Sequence, residues 1–328
     1  MDLSLLADTL AAHGQPAYRA HQVWAWATRG VDGYEAMTDL PADLRSVLAA
    51  EVPFSTLTLE NEATSNDGTI KALFLTHDGR PVEAVLMSYK DGRRSLCVSS
   101  QSGCPLTCTF CATGSMTFAR NLTASEILDQ ALYFRRLSEL NHCVFMGMGE
   151  PMMNLDAVLA ACERLPDIGI TNRRTTISTV GWVPGIERLT QVKMPMRLAF
   201  SLHAPDDDLR SQIMAVNDRY PLYEVLQACR NFYARKRRMI FIEYVMLADV
   251  NDSPEQAVAL ARLLDPAVFK VNLIPYNPSG SPYQGSSRET IDTFAQTLAD
   301  NGIRATVRLT RGQDIAAACG QLAANAAG

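Results

Sequence analysis

From about residue 95 onward, runs of strand character alternate with runs of helix character, and this alternation constrains the fold more than any other feature. It predicts a parallel sheet whose strands are joined by crossover helices. About six repeats of the unit favour an α/β fold of the partial (βα)6, TIM-like barrel type. The predicted strands are Leu96–Ser100, Cys143–Met148, Thr175–Val180, Arg197–His203, Ile240–Leu247, Phe269–Ile274 and Ala305–Leu309. The predicted helices are Ala124–Leu137, Leu155–Arg164, Ile186–Val192, Tyr223–Arg235, Pro254–Leu264 and Thr290–Asp300.

Two smaller regions precede the predicted barrel, which spans residues 95–328. Residues 1–60 carry apolar side chains at helical spacings, which predicts a small helical N-terminal domain. Residues 61–94 hold two strand-like runs, Thr69–Thr76 and Val82–Tyr89, on either side of a turn sequence. That pattern predicts a β-hairpin linking the helical domain to the barrel.

Cys104, Cys108 and Cys111 directly follow the first predicted barrel strand. Three thiolates at this spacing can hold one metal centre from a single loop. Because a closed iron–sulfur or zinc site normally has four ligands, three leave one position open for a substrate or cofactor. The alternative is a structural zinc site with Cys97 as the fourth ligand. It is disfavoured because Cys97 lies inside a strand and no second pair of ligands follows.

Small and polar residues recur where the predicted barrel strands end, and active sites of such barrels lie at these ends. Glu150, after two glycines, offers a carboxylate for an ammonium group, and His203 offers either its ring or its backbone. The structural alternative for each residue is an ordinary turn or a satisfied polar group. The candidate ligand-binding residues are Gly149, Glu150, Ser178, Ser201, Leu202, His203 and Asn277.

The remaining cysteines fall into two groups. Cys143, Cys162 and Cys229 lie in apolar strand or helix contexts, which predicts buried packing residues. Cys97 lies on the first barrel strand, and Cys319 lies among alanines near the C-terminus. By residue context alone, Cys319 is a packing residue on a last helix.

Composition bears on partners and location. The net charge of −5 does not indicate a nucleic-acid binder, although the basic run at 235–238 is either a solvated helix end or an RNA contact. The chain has no apolar run of about 18 residues and no basic leader, so we expect no membrane partner and a cytoplasmic location. Further candidates for RNA contact are Arg19, Arg93, Arg94 and Arg120.

The cysteine loop, with an aromatic residue before its last cysteine, resembles that of the radical S-adenosylmethionine superfamily. Further motifs resemble the RlmN/Cfr family of RNA methyltransferases within it. They are Leu96–Gln101, Arg120–Thr123, Gly147–Pro151, Ser201–Pro205, the segment Arg311–Leu322 and the N-terminal Gly14–Arg19. The chain departs from the family at Thr117, where the family usually has glycine.

This resemblance implies a [4Fe-4S] cluster on Cys104, Cys108 and Cys111, with S-adenosyl-L-methionine bound beside it. It implies that Cys319 is first methylated, and that a radical from a second S-adenosylmethionine then activates this methyl group for attack on adenine. Cys97 would resolve the resulting protein–RNA bond through a transient disulfide with Cys319. Glu83 matches a proton acceptor of the family, and its structural alternative is a surface charge on a hairpin.

The resemblance also implies the partners. These are an adenine of large-subunit (23S) rRNA and one in the anticodon loop of tRNA, methylated at carbon 2, and a flavodoxin- or ferredoxin-type reductant. We expect a monomer. One alternative is a Cfr-type enzyme that methylates carbon 8 of adenine in rRNA. Another, of a different class, is an RNA-binding protein that carries a cluster or zinc without catalysis.

Overall fold

The computed structural model describes residues 1–323. Ten strands form one sheet in the order β1-β2-β3-β4-β7-β8-β9-β10-β11-β12, and β5 pairs with β6 beside it. The strands are β1 (Leu57–Thr64), β2 (Ile70–Thr76), β3 (Pro81–Ser88), β4 (Arg94–Cys97), β5 (Gln101–Ser102), β6 (Arg120–Asn121), β7 (His142–Phe145), β8 (Thr175–Thr179), β9 (Arg197–Ser201), β10 (Ile240–Met246), β11 (Phe269–Pro275) and β12 (Ala305–Val307). The helices are α1 (Leu3–Ala12), α2 (Tyr18–Arg29), α3 (Ala42–Glu51), α4 (Ala124–Leu137), α5 (Leu155–Arg164), α6 (Val183–Gln191), α7 (Asp207–Ile213), α8 (Leu222–Lys236), α9 (Pro254–Leu263) and α10 (Arg288–Asp300).

The predicted partial barrel is confirmed. Strands β4 and β7 to β12 are parallel neighbours, and helices connect each to the next. The antiparallel strands β1 to β3 extend the sheet beyond β4, and β12 is its other edge, so the sheet of the described residues stays open. Parallel strands share one direction. Their last residues therefore meet at one end of the barrel, here called the carboxyl end, and their first residues at the opposite amino end.

Local signals explain where several elements begin. Thr123 and Glu126 form the capping box expected at the start of α4, and Ser253 and Gln256 form another at α9. The predicted hairpin is present as β2 and β3, whose turn contains Gly79 at a φ of 72°. Three predictions of local structure were wrong. Strand β1 begins within the region predicted to be helical, helix α7 was missed, and Cys319 lies in a loop rather than on a helix.

The N-terminal helices share the barrel's hydrophobic core. Leu6 and Leu10 of α1 and Val23 of α2 are at most 2% exposed and belong to the same apolar cluster as the barrel strands. The indole of Trp24 also donates a hydrogen bond of 2.7 Å to Asp167, in the loop after α5. Because α2 packs beside α4 and this loop, the helical region lies against the amino end of the barrel.

The chain after β12, residues 308–323, is here called the C-terminal segment. It is held at one side by the β1–β2 turn, where Asp67 accepts from the backbone of Gly312 at 3.0 Å and Ser65 donates to Asp314 at 2.5 Å. At its other side the Thr113 hydroxyl donates to the carbonyl of Leu322 at 2.5 Å. The segment therefore crosses the open side of the barrel and reaches the cysteine loop. In residues 1–323, no helix has the length and apolarity needed to cross a membrane.

Candidate functional site

Glycine geometry shapes the cysteine loop. Gly103 has a φ of 73°, and a Cβ there would lie 2.4 Å from the carbonyl oxygen of Thr117. Only glycine therefore permits this close approach of the two strands of the loop. Thr117 is not among the described residues with left-handed backbone. The part of Thr117 that lies against Gly103 is its backbone carbonyl, not its side chain. The departure from the family pattern at this position thus strains nothing in the structure.

The three thiols of Cys104, Cys108 and Cys111 line one cavity at the carboxyl end of the barrel. Within residues 1–323, no three His, Cys, Asp or Glu side chains converge closely enough to hold a single metal ion. A structural zinc site requires such convergence. An iron–sulfur cluster binds each thiolate through a different iron and needs a wider spacing. Three thiols on one cavity are a donor set that fits an iron–sulfur cluster with one open position.

Glu150 faces the same cavity but is tied into the fold. Its carboxylate accepts hydrogen bonds from the backbone N–H of Met152 at 3.0 Å and of Val180 at 2.9 Å. It is 2% exposed, and burial raises its pKa to about 7, although these bonds oppose the rise. Such a carboxylate has unused lone pairs and a strong preference for a cationic partner.

Gly149, just before Glu150, has a φ of 95°, and a Cβ there would lie 2.5 Å from the side chain of Gln101. The Gln101 amide in turn accepts a 2.8 Å hydrogen bond from the backbone of Glu150. This contact fixes the turn that aims the carboxylate into the cavity.

Ser178, Ser201 and His203 also line this cavity, as the register of the strand ends predicts. His203 has a left-handed backbone with a φ of 61°, and its Nδ1 accepts a 3.0 Å hydrogen bond from the backbone of Val245. Burial, aided by Arg210, lowers its pKa to about 3, so the ring is neutral and carries its proton on Nε2. Its ring packs edge-on against Phe110 at 4.8 Å, which explains the aromatic residue before Cys111.

Two of the predicted ligand-binding residues lie elsewhere. The side chain of Leu202 is fully buried in the barrel core, and its backbone bonds to the carbonyl of Glu243 and to Arg210. Asn277 lies on a second cavity, and its amide donates to the carbonyl of Cys319 at 3.2 Å. The structure therefore does not bring these two side chains to the cavity of the cysteine loop.

The second cavity contains Cys97 and part of the C-terminal segment. Cys319 and Arg308 line both cavities, as do Met146 and Ile274. Cys97 is 7% exposed, and burial raises its pKa to about 12; the nearby Cys319 adds to the rise and the guanidinium of Arg308 opposes it. Cys319 is thus the one cysteine of the described chain that faces both the cysteine loop and Cys97.

Glu83 is buried, so the interpretation as a surface charge is wrong. It is 1% exposed on the face of β3 that also carries Val85, the register partner of Cys97. Lys71 contacts it at 2.9 Å and also donates to the carbonyl of Ala316 at 3.3 Å. Lys71 therefore links Glu83 to the C-terminal segment, although Glu83 lines neither cavity.

Sequence reasoning missed Arg308 and Glu243. The guanidinium of Arg308 lies 3.8 Å from the Glu243 carboxylate and 3.5 Å from the sulfur of Met146. Two signals could have found them. Arg308 follows β12 at the carboxyl end, and Glu243 is a lone charge within the apolar run of β10. Among the other predictions, Cys143, Cys162 and Cys229 are buried as expected.

The open barrel, the three-cysteine loop and the polar strand ends define a radical S-adenosylmethionine enzyme. The chain matches the Radical SAM superfamily over residues 98–261 and the ribosomal RNA large subunit methyltransferase N-terminal domain over residues 1–53. It is 48% identical to the probable dual-specificity RNA methyltransferase RlmN of Chloroflexus aurantiacus, over 98% of this chain and 91% of the relative. The corresponding enzyme of an Anaeromyxobacter species is 45% identical over 99% of this chain and 89% of its own.

A solved radical SAM methyltransferase from Sphaerobacter thermophilus superposes with a TM-score of 0.94 and 46% identity, covering 99% of this chain and 98% of that one. The chain belongs to the RlmN family of radical S-adenosylmethionine RNA methyltransferases. It is therefore an enzyme, with a [4Fe-4S] cluster and S-adenosylmethionine as its cofactors, and not a non-catalytic RNA-binding protein.

Proposed function

We propose that this enzyme methylates carbon 2 of an adenine in large-subunit rRNA and in the tRNA anticodon loop, through a methylated Cys319. The observation that carries the proposal is the position of Cys319 between two cavities, one lined by the cysteine loop and the other by Cys97. A methyl carrier must be accessible from the cofactor side, and its sulfur must later meet a second thiol. Cys319 has both neighbours.

In this proposal Cys104, Cys108 and Cys111 hold the cluster, and Glu150 pairs with the amino group of S-adenosylmethionine. Gly149 permits close backbone approach, while Ser178, Ser201 and the neutral His203 supply polar contacts around the bound cofactor. Asn277 would act by fixing the backbone of Cys319, and Leu202 through its position in the strand end. When bound, the cluster and S-adenosylmethionine supply a radical able to remove hydrogen from a methyl group.

Cys319 would carry the methyl group as a thioether and bring it to the adenine ring, whose carbon is too poor a nucleophile for direct methylation. Cys97, as its thiolate, would then attack the sulfur of Cys319, so that a sulfur–sulfur bond would form and the bond from that sulfur to the transferred carbon would break. The carbon would keep the bonding electron pair and take up a proton to become the methyl group. The guanidinium of Arg308 partly opposes the rise in the pKa of Cys97 that burial causes. Two molecules of S-adenosylmethionine would be consumed in each cycle.

Glu83 would accept the proton released from the adenine. Lys71 pairs with its carboxylate at 2.9 Å and holds it in position. Its place on the strand face beside Cys97 supports a role near the RNA base. We also propose a flavodoxin- or ferredoxin-type reductant, a monomeric state and a cytoplasmic location, where the RNA substrates occur.

The test is to incubate unmodified ribosomal RNA and tRNA with the reduced enzyme and methyl-labelled cofactor. Digestion and mass spectrometry should then locate the label on carbon 2 of one adenine in each RNA. Label on carbon 8 would favour the Cfr-type alternative. Label on both RNAs with no methylated Cys319 at any time would contradict the proposed carrier.

A further inference from the structure

Basic residues mark the start of every parallel strand of the barrel. One lies at, or within two residues of, the first residue of each strand, in the order β4, β7, β8, β9, β10, β11 and β12. They are Arg94, His142, Arg174, Arg197, Arg238, Lys270 and Arg304. Together they form what is here called the basic rim, at the amino end of the barrel and opposite the cysteine loop.

The sheet register places the rim residues side by side. Arg197 pairs with Thr176, two residues after Arg174, and Lys270 pairs with Phe241, close to Arg238. The pairing of Val271 with Ala305 likewise brings Lys270 beside Arg304. Neighbouring strands lie about 4.8 Å apart, so the arginines and the lysine of the rim form a row of cations. Burial and nearby arginines lower the pKa of His142, which is therefore not counted among these cations.

These cations lack acidic partners. Among the described residues none of the rim members forms an ion pair. Arg93, which stands next to the rim but is not part of it, is paired with Asp91. Asp265 and Asp300, at the same end, accept hydrogen bonds from Ala267 and Gln296 instead.

The rim residues also repel one another. Burial together with Arg197 and Arg173 lowers the pKa of Arg238, and burial together with Arg197 and Arg304 lowers that of Lys270. In a chain of net charge −5, a crowded group of positive charges without acidic partners indicates a surface that binds an anion.

The composition of the rim favours phosphate groups. Arginine predominates, and its planar guanidinium binds phosphate oxygens in pairs. Further cations stand near the rim in the segments before and between its strands, and these are Arg173, Lys193, Arg235 in the last turn of α8, and Arg237. A row of this length matches a polyanion with regularly repeated charges better than a single small anion.

The position of the rim separates RNA from the other anionic candidate, an acidic electron-carrier protein. Strand β10 has seven residues and spans roughly 20 Å, so a protein docked on the rim would stand that far from the cysteine loop. An electron carrier needs to come close to the cluster. A folded RNA can extend along the enzyme while one of its bases enters the opposite end.

We propose that the basic rim binds the phosphate backbone of the substrate RNA, outside the loop that presents the reacting adenine. This inference rests on the proposed function for the identity of the polyanion. The N-terminal helices continue the surface, since Gly30 after α2 lies against the backbone of Arg135 and Arg136 at the end of α4. The rim and the helical region would then hold one face of the RNA together.

The experiment replaces three rim arginines by glutamine in one variant, Arg174→Gln, Arg197→Gln and Arg304→Gln. A matched control loses the same charge at three arginines that are already paired with carboxylates, through Arg80→Gln, Arg188→Gln and Arg288→Gln. Binding of an unmodified large-subunit rRNA fragment and of an unmodified tRNA is measured by fluorescence anisotropy at several salt concentrations, with holoenzyme in each case.

Three lost phosphate contacts should reduce the slope of log affinity against log salt by about 2 to 3, and the affinity at 0.1 M salt roughly a hundredfold. The control should change little. Methylation of Cys319 without RNA, followed by the mass of its peptide, should proceed normally in both variants, which verifies folding and cofactor binding. In RNA methylation, KM for RNA should rise while kcat stays.

Unchanged RNA affinity and salt slope in the rim variant would overturn the inference. A second result would also overturn it. If the rim variant keeps RNA affinity but, compared with the native enzyme, is reduced more slowly by flavodoxin and equally fast by dithionite, the rim is a docking site for the electron carrier. Failure of the native enzyme to methylate Cys319 would instead contradict the proposed function, and the binding measurement is read independently of it.

Discussion

The two ends of the barrel differ in the burial and the pairing of their ionisable groups. At the carboxyl end the ionisable groups are buried and individually partnered, as with Glu150 on two backbone N–H groups and Glu83 on Lys71. At the amino end the cations are exposed or half-buried, and those of the rim form no ion pair among the described residues. Burial tunes reactivity, whereas exposed charge provides long-range attraction. In our two proposals, the same strands carry the chemistry at one end and RNA affinity at the other.

The largest expected effect is that of Cys319→Ala. With no sulfur at the junction of the two cavities, no methyl carrier can form, so RNA methylation should fall below detection. RNA affinity should stay native because the amino end is unchanged. Methyl-label incorporation and anisotropy measure the two separately. Full methylation by this variant would contradict the role of Cys319. A large loss of RNA binding would contradict the separation of chemistry at the carboxyl end from RNA binding at the amino end.

Cys97→Ala should stop the reaction later. Cys319 can still be methylated and joined to the adenine, but no thiol can release the product. A covalent protein–RNA adduct should therefore accumulate and appear as a slow, nuclease-sensitive band on a denaturing gel. Cys162→Ala is the control, because this cysteine is also buried but lies on α5 away from both cavities. A variant at Cys97 that remains free of RNA would refute the resolving role.

Glu150→Gln should retain the cluster and its brown colour but bind S-adenosylmethionine about ten- to a hundredfold more weakly. The loss of a charged hydrogen-bond partner costs about 1.5–3 kcal/mol. Because burial raises the pKa of Glu150 to about 7, its carboxylate is protonated below that pH and ionised above it. Native affinity for the cofactor, measured by calorimetry, should therefore rise with pH through about 7.

The same pH series on the variant is the control, since glutamine does not titrate. Its affinity should lack this rise. A native affinity that stays flat across pH 6 to 8 would assign Glu150 to holding the turn rather than the cofactor.

The smallest expected effect is that of Arg304→Gln alone. One phosphate contact should lower the salt slope of RNA binding by about 1. The side chain is exposed and forms no ion pair among the described residues, so the free energy of unfolding should change by less than about 0.5 kcal/mol. Salt-dependent anisotropy and denaturant unfolding measure the two quantities. A destabilised variant with a native salt slope would indicate a structural role for the rim.

The features that could be predicted from sequence are local ones. The cysteine loop, the capping box of α4 and the polar strand ends depend on residues close in the chain. Their patterns can therefore be recognised in the sequence alone. Strand β1 escaped prediction because its exposed residues lack clear alternation. The loop at Cys319 escaped because alanines favour helix, and contacts with residues far away in the chain override that preference.

The position of Arg308 is another long-range feature. Its side chain meets Met146 and Glu243, which lie on strands far from it in the chain. No local sequence pattern predicts these contacts of Arg308, although its position after β12 places it at the carboxyl end of the barrel. The burial of Glu83 follows the same logic, because it depends on Lys71 and on a C-terminal segment more than two hundred residues away.

The two attachments of the C-terminal segment also have a dynamic consequence. The segment is fastened at Gly312 and at Leu322. Between them its regular structure is a short turn at Gln313–Ile315, and single hydrogen bonds reach the carbonyls of Ala316, Cys319 and Gly320. A stretch held at both ends with so few regular hydrogen bonds can open locally without unfolding the barrel. Amide hydrogens near Cys319 should therefore exchange with solvent well before those of β10. Under the proposed function, such opening would give the sulfur of Cys319 room to turn from one cavity to the other within a single catalytic cycle.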